Sequence, residues 1–184
     1  MKKRLKAIKY IIYRETIAEP YGHFISFIGA FIGIGLIGFL NSLNMESADN
    51  IFLIGSFGAS AVLVYGATNS PLAQPRNLIG GHLISALVGV AVYKILPLNP
   101  EIVWLKCALA VSLSIVLMQI TKTVHPPGGA TALIANIGTA KVKSLGFFYV
   151  INPVLMGVLI MLVVALIVND ISKHNTYPYK NTDK

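Results

Sequence analysis

Apolar residues occupy this chain in long blocks, and four of these blocks are long enough to cross a bilayer. They cover residues 24–40, 78–96, 102–120 and 147–168, and a hydrocarbon core about 30 Å thick takes about 20 helical residues. Two shorter apolar stretches lie between them, at residues 51–66 and 126–137. The pattern predicts an all-α membrane protein with four long transmembrane helices plus two short membrane elements interrupted by Gly and Pro.

The two short elements are similar in sequence. GASAVL at residues 58–63 matches GATALI at residues 129–134, and each lies between two long apolar blocks. This long, short, long order predicts an inverted repeat of three elements each, with halves at residues 24–96 and 102–168. The alternative is a chance match, because small residues are favoured wherever membrane helices pack closely.

Composition and charge support a membrane protein. The 184 residues are 55% hydrophobic and only 12% charged, with a mean hydropathy of +0.70. The net charge of +8 would suit nucleic acid, but the cations crowd the first 14 residues and the C-terminal tail. We therefore expect the lipid bilayer, and no nucleic acid, as the partner of these cations.

The charge pattern also divides the chain and orients it. Residues 1–20 are interpreted as a basic amphipathic segment at the inner membrane surface, with a solvated tail as the alternative. Residues 21–169 form the predicted transmembrane domain, residues 170–184 a cytoplasmic tail, and no room is left for a separate soluble domain. The positive-inside rule places both termini in the cytoplasm of a bacterial-type inner (plasma) membrane.

The loop charges favour six crossings. Counting from the inside, Glu46 and Asp49 fall outside, Arg76 inside, Glu101 outside and Lys122 inside. The exceptions are the lysines at positions 141 and 143, which fall outside. If the short elements are re-entrant instead, the sidedness of several loops changes.

The segment HPPGGATAL at residues 125–133 is the most informative motif. Pro126 and Pro127 suit the first positions of a helix, so we expect a helix that begins abruptly at membrane depth, directly after His125. Free N–H groups at Gly128 and Gly129, with the positive end of the helix dipole, would then bind an anion.

A second polar segment, NSPLAQPRN at residues 69–77, leads into GGH at residues 80–82. Gln74, Arg76 and Asn77 offer several donors, and the Arg76 guanidinium can hold two anion oxygens at once. The alternatives are an ordinary inner-loop arginine and, for His82 and His125, interfacial histidines with a structural hydrogen bond.

These motifs, together with GSFGASAVL at residues 55–63, resemble the HPP family of small integral membrane proteins. The likeness covers residues 24–168. It implies four transmembrane helices, and some bacterial and plastid members are assigned nitrite transport. Some relatives add a nucleotide-sensing C-terminal CBS region, whereas this chain resembles only the membrane core.

The resulting hypothesis is transport of a small monovalent oxyanion, with nitrite chosen on the resemblance and proton coupling through His125 or His82. A channel for anions or small solutes is the alternative. An intramembrane enzyme using either histidine is less favoured, because no Asp or Glu is expected within a span to orient either imidazole. Neither a metal nor a cofactor is expected. The candidate binding residues are His125, Pro126, Pro127, Gly128, Gly129, Thr131, Ser56, Gly58, Ala59, Ser60, Gln74, Arg76, Asn77 and His82.

A homodimer or higher homo-oligomer is also expected. Gly29, Gly33 and Gly35 give the first long block a face for close packing. The alternative is that these glycines pack within one protomer.

Overall fold

The computed structural model describes residues 20–43, 45–171 and 177–179. Most of the predicted amphipathic segment and of the C-terminal tail lies outside these residues. The described part is helical and contains no strand, which confirms the all-α prediction. Its α-helices are α1 (Pro20–Ser42), α2 (Ser47–Ala61), α3 (Pro75–Ile95), α4 (Val103–Ile120), α5 (Pro127–Ile137), α6 (Ala140–Ser144) and α7 (Met156–Ile171).

Shorter turns extend these helices. A π-helical turn, Val62–Gly66, continues α2, another, Val150–Leu155, leads into α7, and single 3₁₀ turns at Pro71–Ala73 and Pro100–Ile102 precede α3 and α4. Five segments of the described residues are thereby long and apolar enough to cross a membrane: Tyr21–Ser42, Ser47–Gly66, Pro75–Ile95, Pro100–Ile120 and Val150–Ile171.

The span Ser47–Gly66, which comes in addition to the four predicted long helices, is a longer form of the short stretch predicted at residues 51–66. It begins with the sequence SADN at residues 47–50, which is more polar than the apolar stretch that follows. Asp49 is nevertheless fully buried, because its carboxylate accepts hydrogen bonds from the backbone N–H and the hydroxyl of Thr139. Partners remote in sequence therefore lengthen this helix.

The second short element remains short. Helix α5 begins at Pro127, one residue after the predicted start, and its 11 residues span about 16 Å. At its start Asn77 of α3 donates to the Val124 carbonyl, and near its end Asn136 donates to the Gly89 carbonyl of α3. The helix thus covers about half of a bilayer core, alongside α3.

The bundle has two ends, which we name the His125 end and the Asp49 end. The His125 end contains the start of α3 and the loop before α5, which the Asn77 to Val124 hydrogen bond joins. Ser26 near the start of α1 donates to the Tyr65 carbonyl beside Gly66, and Tyr177 donates to the Ala73 carbonyl. Both limits of the described chain therefore lie at the His125 end.

Helices α2 and α5 run in opposite directions along each other. Asp49 near the start of α2 binds Thr139 beyond the end of α5, whereas Ser56 donates to the Pro127 carbonyl at the start of α5. Ser56 and Pro127 are 71 residues apart, the spacing of the matched sequences. This geometry is compatible with an inverted repeat, which stays a prediction.

Two glycines of α1, Gly29 and Gly33, pack against Tyr65 inside the protomer. A Cβ at Gly29 would lie 2.7 Å from Cδ1 of Tyr65, and one at Gly33 would overlap the Tyr65 hydroxyl. That hydroxyl donates to the Met161 carbonyl of α7, at 3.1 Å. Tyr65 therefore fills the space beside two of the three glycines that were predicted to make oligomer contacts. Of the three, only Gly35 has open space beside it.

Candidate functional site: a buried imidazole and hydroxyl cluster

Five polar side chains meet where α2, α3 and α5 pack together. Helix α2 contributes Ser56 and Ser60, α3 contributes His82, the loop before α5 contributes His125, and α5 contributes Thr131. We call these five residues the polar cluster. Each is at most 2% exposed, so neither lipid nor bulk water reaches the cluster in this conformation.

Glycines allow the close approach that brings the two histidines together. A Cβ at Gly128 would lie 2.8 Å from the Gly81 carbonyl oxygen, and one at Gly81 would overlap Cβ of His125. Only residues without a side chain fit at these two positions. As a result the rings of His82 and His125 lie 5.0 Å apart, centroid to centroid.

His82 joins the two sequence-matched elements. Its Nε2 lies 2.8 Å from Oγ of Ser60 on α2, and its Nδ1 lies 2.7 Å from Oγ1 of Thr131 on α5. These distances are short for hydrogen bonds between a ring nitrogen and a hydroxyl. Both ring nitrogens are therefore engaged, and the imidazole is held in one orientation.

His125 is also held at both nitrogens. Its Nδ1 lies 2.8 Å from the Leu72 carbonyl oxygen, and its Nε2 lies 2.8 Å from the same Ser60 hydroxyl that contacts His82. A carbonyl oxygen only accepts, so Nδ1 of His125 carries a hydrogen. Ser60 is consequently the link between the two imidazoles.

Ser56 closes the cluster on the side of Thr131. Its hydroxyl lies 2.9 Å from Oγ1 of Thr131 and 3.1 Å from the Pro127 carbonyl oxygen. Tyr149, which precedes α7, donates to the Thr131 carbonyl at 3.0 Å. Among the described residues no hydrogen bond joins the cluster to an Asp, Glu, Lys or Arg side chain, so it contains no fixed charge.

The predicted free N–H groups are not found at the start of α5. The N–H of Gly128 donates to the His125 carbonyl at 2.9 Å, and the N–H of Gly129 to the Pro126 carbonyl at 3.0 Å. The physical reason is that Pro126 already has helical dihedral angles, φ −53° and ψ −38°, so the preceding carbonyls point at these donors. In this conformation these two N–H groups are therefore not free, and an anion held by them stays a prediction.

The corresponding donors of α2 are not free either. Gly58 and Ala59 lie inside the continuous helix Ser47–Ala61, so their N–H groups do not face a break. Of the predicted ligands, the hydroxyls of Ser56, Ser60 and Thr131 converge with the two histidines.

Gln74, Arg76 and Asn77 lie apart from the cluster, and we call them the loop clamp. Arg76 is exposed and its Nη2 donates to the Thr121 carbonyl at 2.7 Å. Asn77 donates to the Val124 carbonyl at 2.8 Å, and Gln74 to the Thr68 and Ser70 carbonyls. These side chains bind backbone at the His125 end instead of joining the two histidines.

The sequence did not point to Tyr149 at the cluster, nor to the Asp49 and Thr139 pair at the opposite end of the bundle. Nothing in the sequence singles out Tyr149, because its partner is a backbone carbonyl. Asp49 and Thr139 are brought together only by folding, since they are 90 positions apart in the sequence. Within the described ranges, no group of three His, Cys, Asp or Glu side chains is placed to hold a metal ion.

The five apolar spans define a multi-pass membrane protein with an uncharged polar cluster buried among its helices. The sequence profile of the HPP transmembrane region matches residues 16–178. The chain therefore belongs to the HPP transmembrane family.

Two transmembrane proteins of Dictyostelium discoideum are similar to it, at 48% and 46% identity over 153 residues. Each alignment covers 83% of this chain but only 49% and 53% of the relatives, so the chain spans about half their length. No solved structure matches the chain.

Proposed function

We propose that this protein carries a small monovalent oxyanion, nitrite in the first instance, across the membrane together with one proton. Membership of the HPP transmembrane family is consistent with membrane transport in general. The observation that carries the proposal is the polar cluster, because ionisable side chains inside a membrane bundle are costly and rare, and they mark the pathways of substrates and protons.

The absence of fixed charge in the cluster favours coupling to a proton. Hydroxyls alone bind an anion weakly, whereas a protonated imidazole adds a positive charge and a further N–H donor. Moving one negative charge inward against about 100 mV costs about 2.3 kcal/mol. A co-transported proton cancels that charge, so His125 and His82 bind the proton and the anion follows it.

Opening of the His125 end admits the substrate in this proposal. The cluster is closed, and the loop clamp ties the start of α3 to the backbone between α4 and α5. Release of the Arg76 and Asn77 hydrogen bonds would free the loop that contains His125. The loop clamp then acts as a latch, and Arg76 meets the anion at the surface before the cluster does.

A channel with the same lining is the second candidate, and it would show neither accumulation nor proton coupling. A hydrolytic enzyme is supported by one contact, since Ser60 lies 2.8 Å from both imidazoles. In the described residues no carboxylate hydrogen-bonds to either ring, and the N–H groups of Gly128 and Gly129 are occupied. We therefore place transport ahead of catalysis, with neither metal nor cofactor involved.

Flux into liposomes tests the proposal. Purified protein in vesicles is offered nitrite, nitrate, formate and chloride, with protein-free vesicles as the control. Saturable uptake that accumulates with a proton gradient supports a transporter, and downhill flux without accumulation supports a channel. Absence of flux for all four anions contradicts both.

We also propose a homodimer or higher homo-oligomer in a bacterial-type inner membrane, with both termini cytoplasmic. The outer face of α1 supports the assembly, because Gly35 is open and Phe24, Phe27 and Phe31 are exposed. Mass measurement in lipid nanodiscs checks it, and a monomer at every protein concentration would contradict it. Protease accessibility of a C-terminal tag in sealed inner-membrane vesicles reports the orientation.

A further inference from the structure

We infer that the polar cluster is a proton-binding relay in which His125 and His82 share one proton through Ser60, and that its arrival reverses the whole hydrogen-bond chain. This inference deepens the proposed function, on which it rests for the co-transported ion.

In the uncharged cluster, one placement of the hydrogens satisfies every contact among Ser60, His82, His125 and Thr131. The Leu72 carbonyl fixes a hydrogen on Nδ1 of His125, so a neutral His125 has a bare Nε2 that accepts from Ser60. Ser60 has one hydrogen, so its oxygen accepts from Nε2–H of His82. Nδ1 of His82 is then bare and accepts from Thr131, and the two histidines are opposite tautomers.

When one proton is added, a second placement of the hydrogens again gives every group in the chain a hydrogen-bond partner. Nε2 of His125 gains a hydrogen and donates to Ser60, whose hydroxyl turns and donates to Nε2 of His82. His82 now carries its hydrogen on Nδ1 and donates to Thr131. Thr131 in turn donates to Ser56, and Ser56 donates to the Pro127 carbonyl that lies 3.1 Å away.

The proton count balances along this chain. A proton arriving at Thr131 replaces the one that Thr131 passes to Nδ1 of His82. His82 passes its Nε2 hydrogen to Ser60, and Ser60 passes its own to His125. Each intermediate group gains one proton and loses one, and the added charge remains on His125.

The cluster holds a single extra proton. The other titratable groups in contact with it are few: Tyr149 donates to the Thr131 carbonyl, and Asp49 binds Thr139 instead of either histidine. Among the described residues no acidic side chain hydrogen-bonds to either imidazole, and the two fully buried rings lie only 5.0 Å apart. Repulsion between like charges at this distance opposes double protonation.

Nitrogen-15 NMR of the full chain in lipid bilayers, with labelled histidine, tests the relay without any transport assay. The signals are assigned with His125→Gln and His82→Asn, and the two remaining histidines, His23 and His174, with their own Gln variants. Before acidification we expect Nδ1–H on His125 and Nε2–H on His82. On acidification we expect one imidazolium, on His125, and a change of His82 to the Nδ1–H tautomer at the same pH.

Ser60→Ala is expected to abolish the coupled tautomer change of His82 while His125 still binds a proton. Ser60→Thr, which keeps the hydroxyl, should restore the coupling, and Ser114→Ala should leave it unchanged, because Ser114 is buried but bonds only within α4. The same tautomer on both histidines at every pH, or two imidazolium rings in one molecule, would overturn the relay. If Ser60→Ala does not fold, the wild-type titration alone still decides.

The two proposals fail separately. A tautomer switch in a protein that moves no anion contradicts transport and leaves the relay standing. Proton-coupled anion uptake by a protein whose His82 never changes tautomer contradicts the relay and leaves transport standing.

Discussion

The polar cluster and the loop clamp both use the segment of residues 69–82, which contains the three clamp residues and His82, yet their polar groups are satisfied in different ways. The cluster is sealed among α2, α3 and α5, and its hydroxyls and imidazoles satisfy one another. The clamp lies at the end of the bundle, where Arg76 stays exposed and donates to a backbone carbonyl. Where no water is available polar groups must find each other, and near the surface a permanent charge is tolerated.

The largest effect is expected when His82 loses its nitrogens. His82→Leu keeps most of the volume but removes one hydrogen bond from each of the Ser60 and Thr131 hydroxyls, which keep His125 and Ser56 as partners. Each lost hydrogen bond should cost about 0.5–1.5 kcal/mol. We expect loss of anion flux and a lower denaturation temperature in nanodiscs. Ser114→Ala is the matched buried control, and an unchanged denaturation temperature for His82→Leu would contradict a satisfied cluster.

A slightly smaller effect is expected at the glycine contact that sets the ring distance. Gly81→Ala forces a methyl group into His125 and towards the Thr123 carbonyl oxygen, 3.0 Å away. Such overpacking costs about 1–3 kcal/mol. Gly58→Ala is the control, since a Cβ there meets nothing within 4 Å, and it should be neutral or stabilise by about 0.4–1 kcal/mol. Equal denaturation temperatures for the two variants would show that the contact is not tight.

His125→Gln should change the pH dependence of uptake more than it changes stability. Glutamine keeps a donor for the Leu72 carbonyl but cannot bind a proton. Wild-type uptake rises as the pH falls, because anion binding follows protonation, and the variant should lose that rise. Initial rates of nitrite uptake over a pH series measure this, and full uptake with the wild-type pH profile would exclude His125 as the proton carrier.

The smallest effect is expected in the loop clamp. Arg76→Gln removes an exposed hydrogen bond, so the change in stability should stay near 0.5 kcal/mol. The proposed latch predicts altered initial rates with the proton coupling retained. If Arg76→Gln abolished nitrite binding while His82→Leu did not, the assignment of the two regions would have to be exchanged.

The sequence contained the outline of this site but not its chemistry. Pro126 and Pro127 correctly place the start of α5, because proline geometry is local. The glycines at positions 81 and 128 allow the close approach that brings Ser60, His82 and His125 together. The sequence suggests such an approach but does not show which segments meet. The occupied N–H groups of Gly128 and Gly129 depend on the dihedral angles of Pro126, which the sequence does not specify.

The start of α2 at Ser47 was likewise not predicted from the pattern of apolar residues, which begins at residue 51. The polar residues before residue 51 look like a loop, and only the distant pairing of Asp49 with Thr139 shows why they are helical and buried. The separation of Arg76 from the histidines has the same origin. Both are set by which backbone lies opposite, a property of the folded bundle and not of the local sequence.

Simultaneous measurement of nitrite uptake and proton movement in liposomes tests the central claim most directly. The account predicts saturable nitrite uptake accompanied by one proton for each anion, with a rate that does not depend on an imposed membrane potential. Protein-free vesicles correct for diffusion of nitrous acid. Nitrite flux without proton movement, driven by the membrane potential alone, would contradict the account.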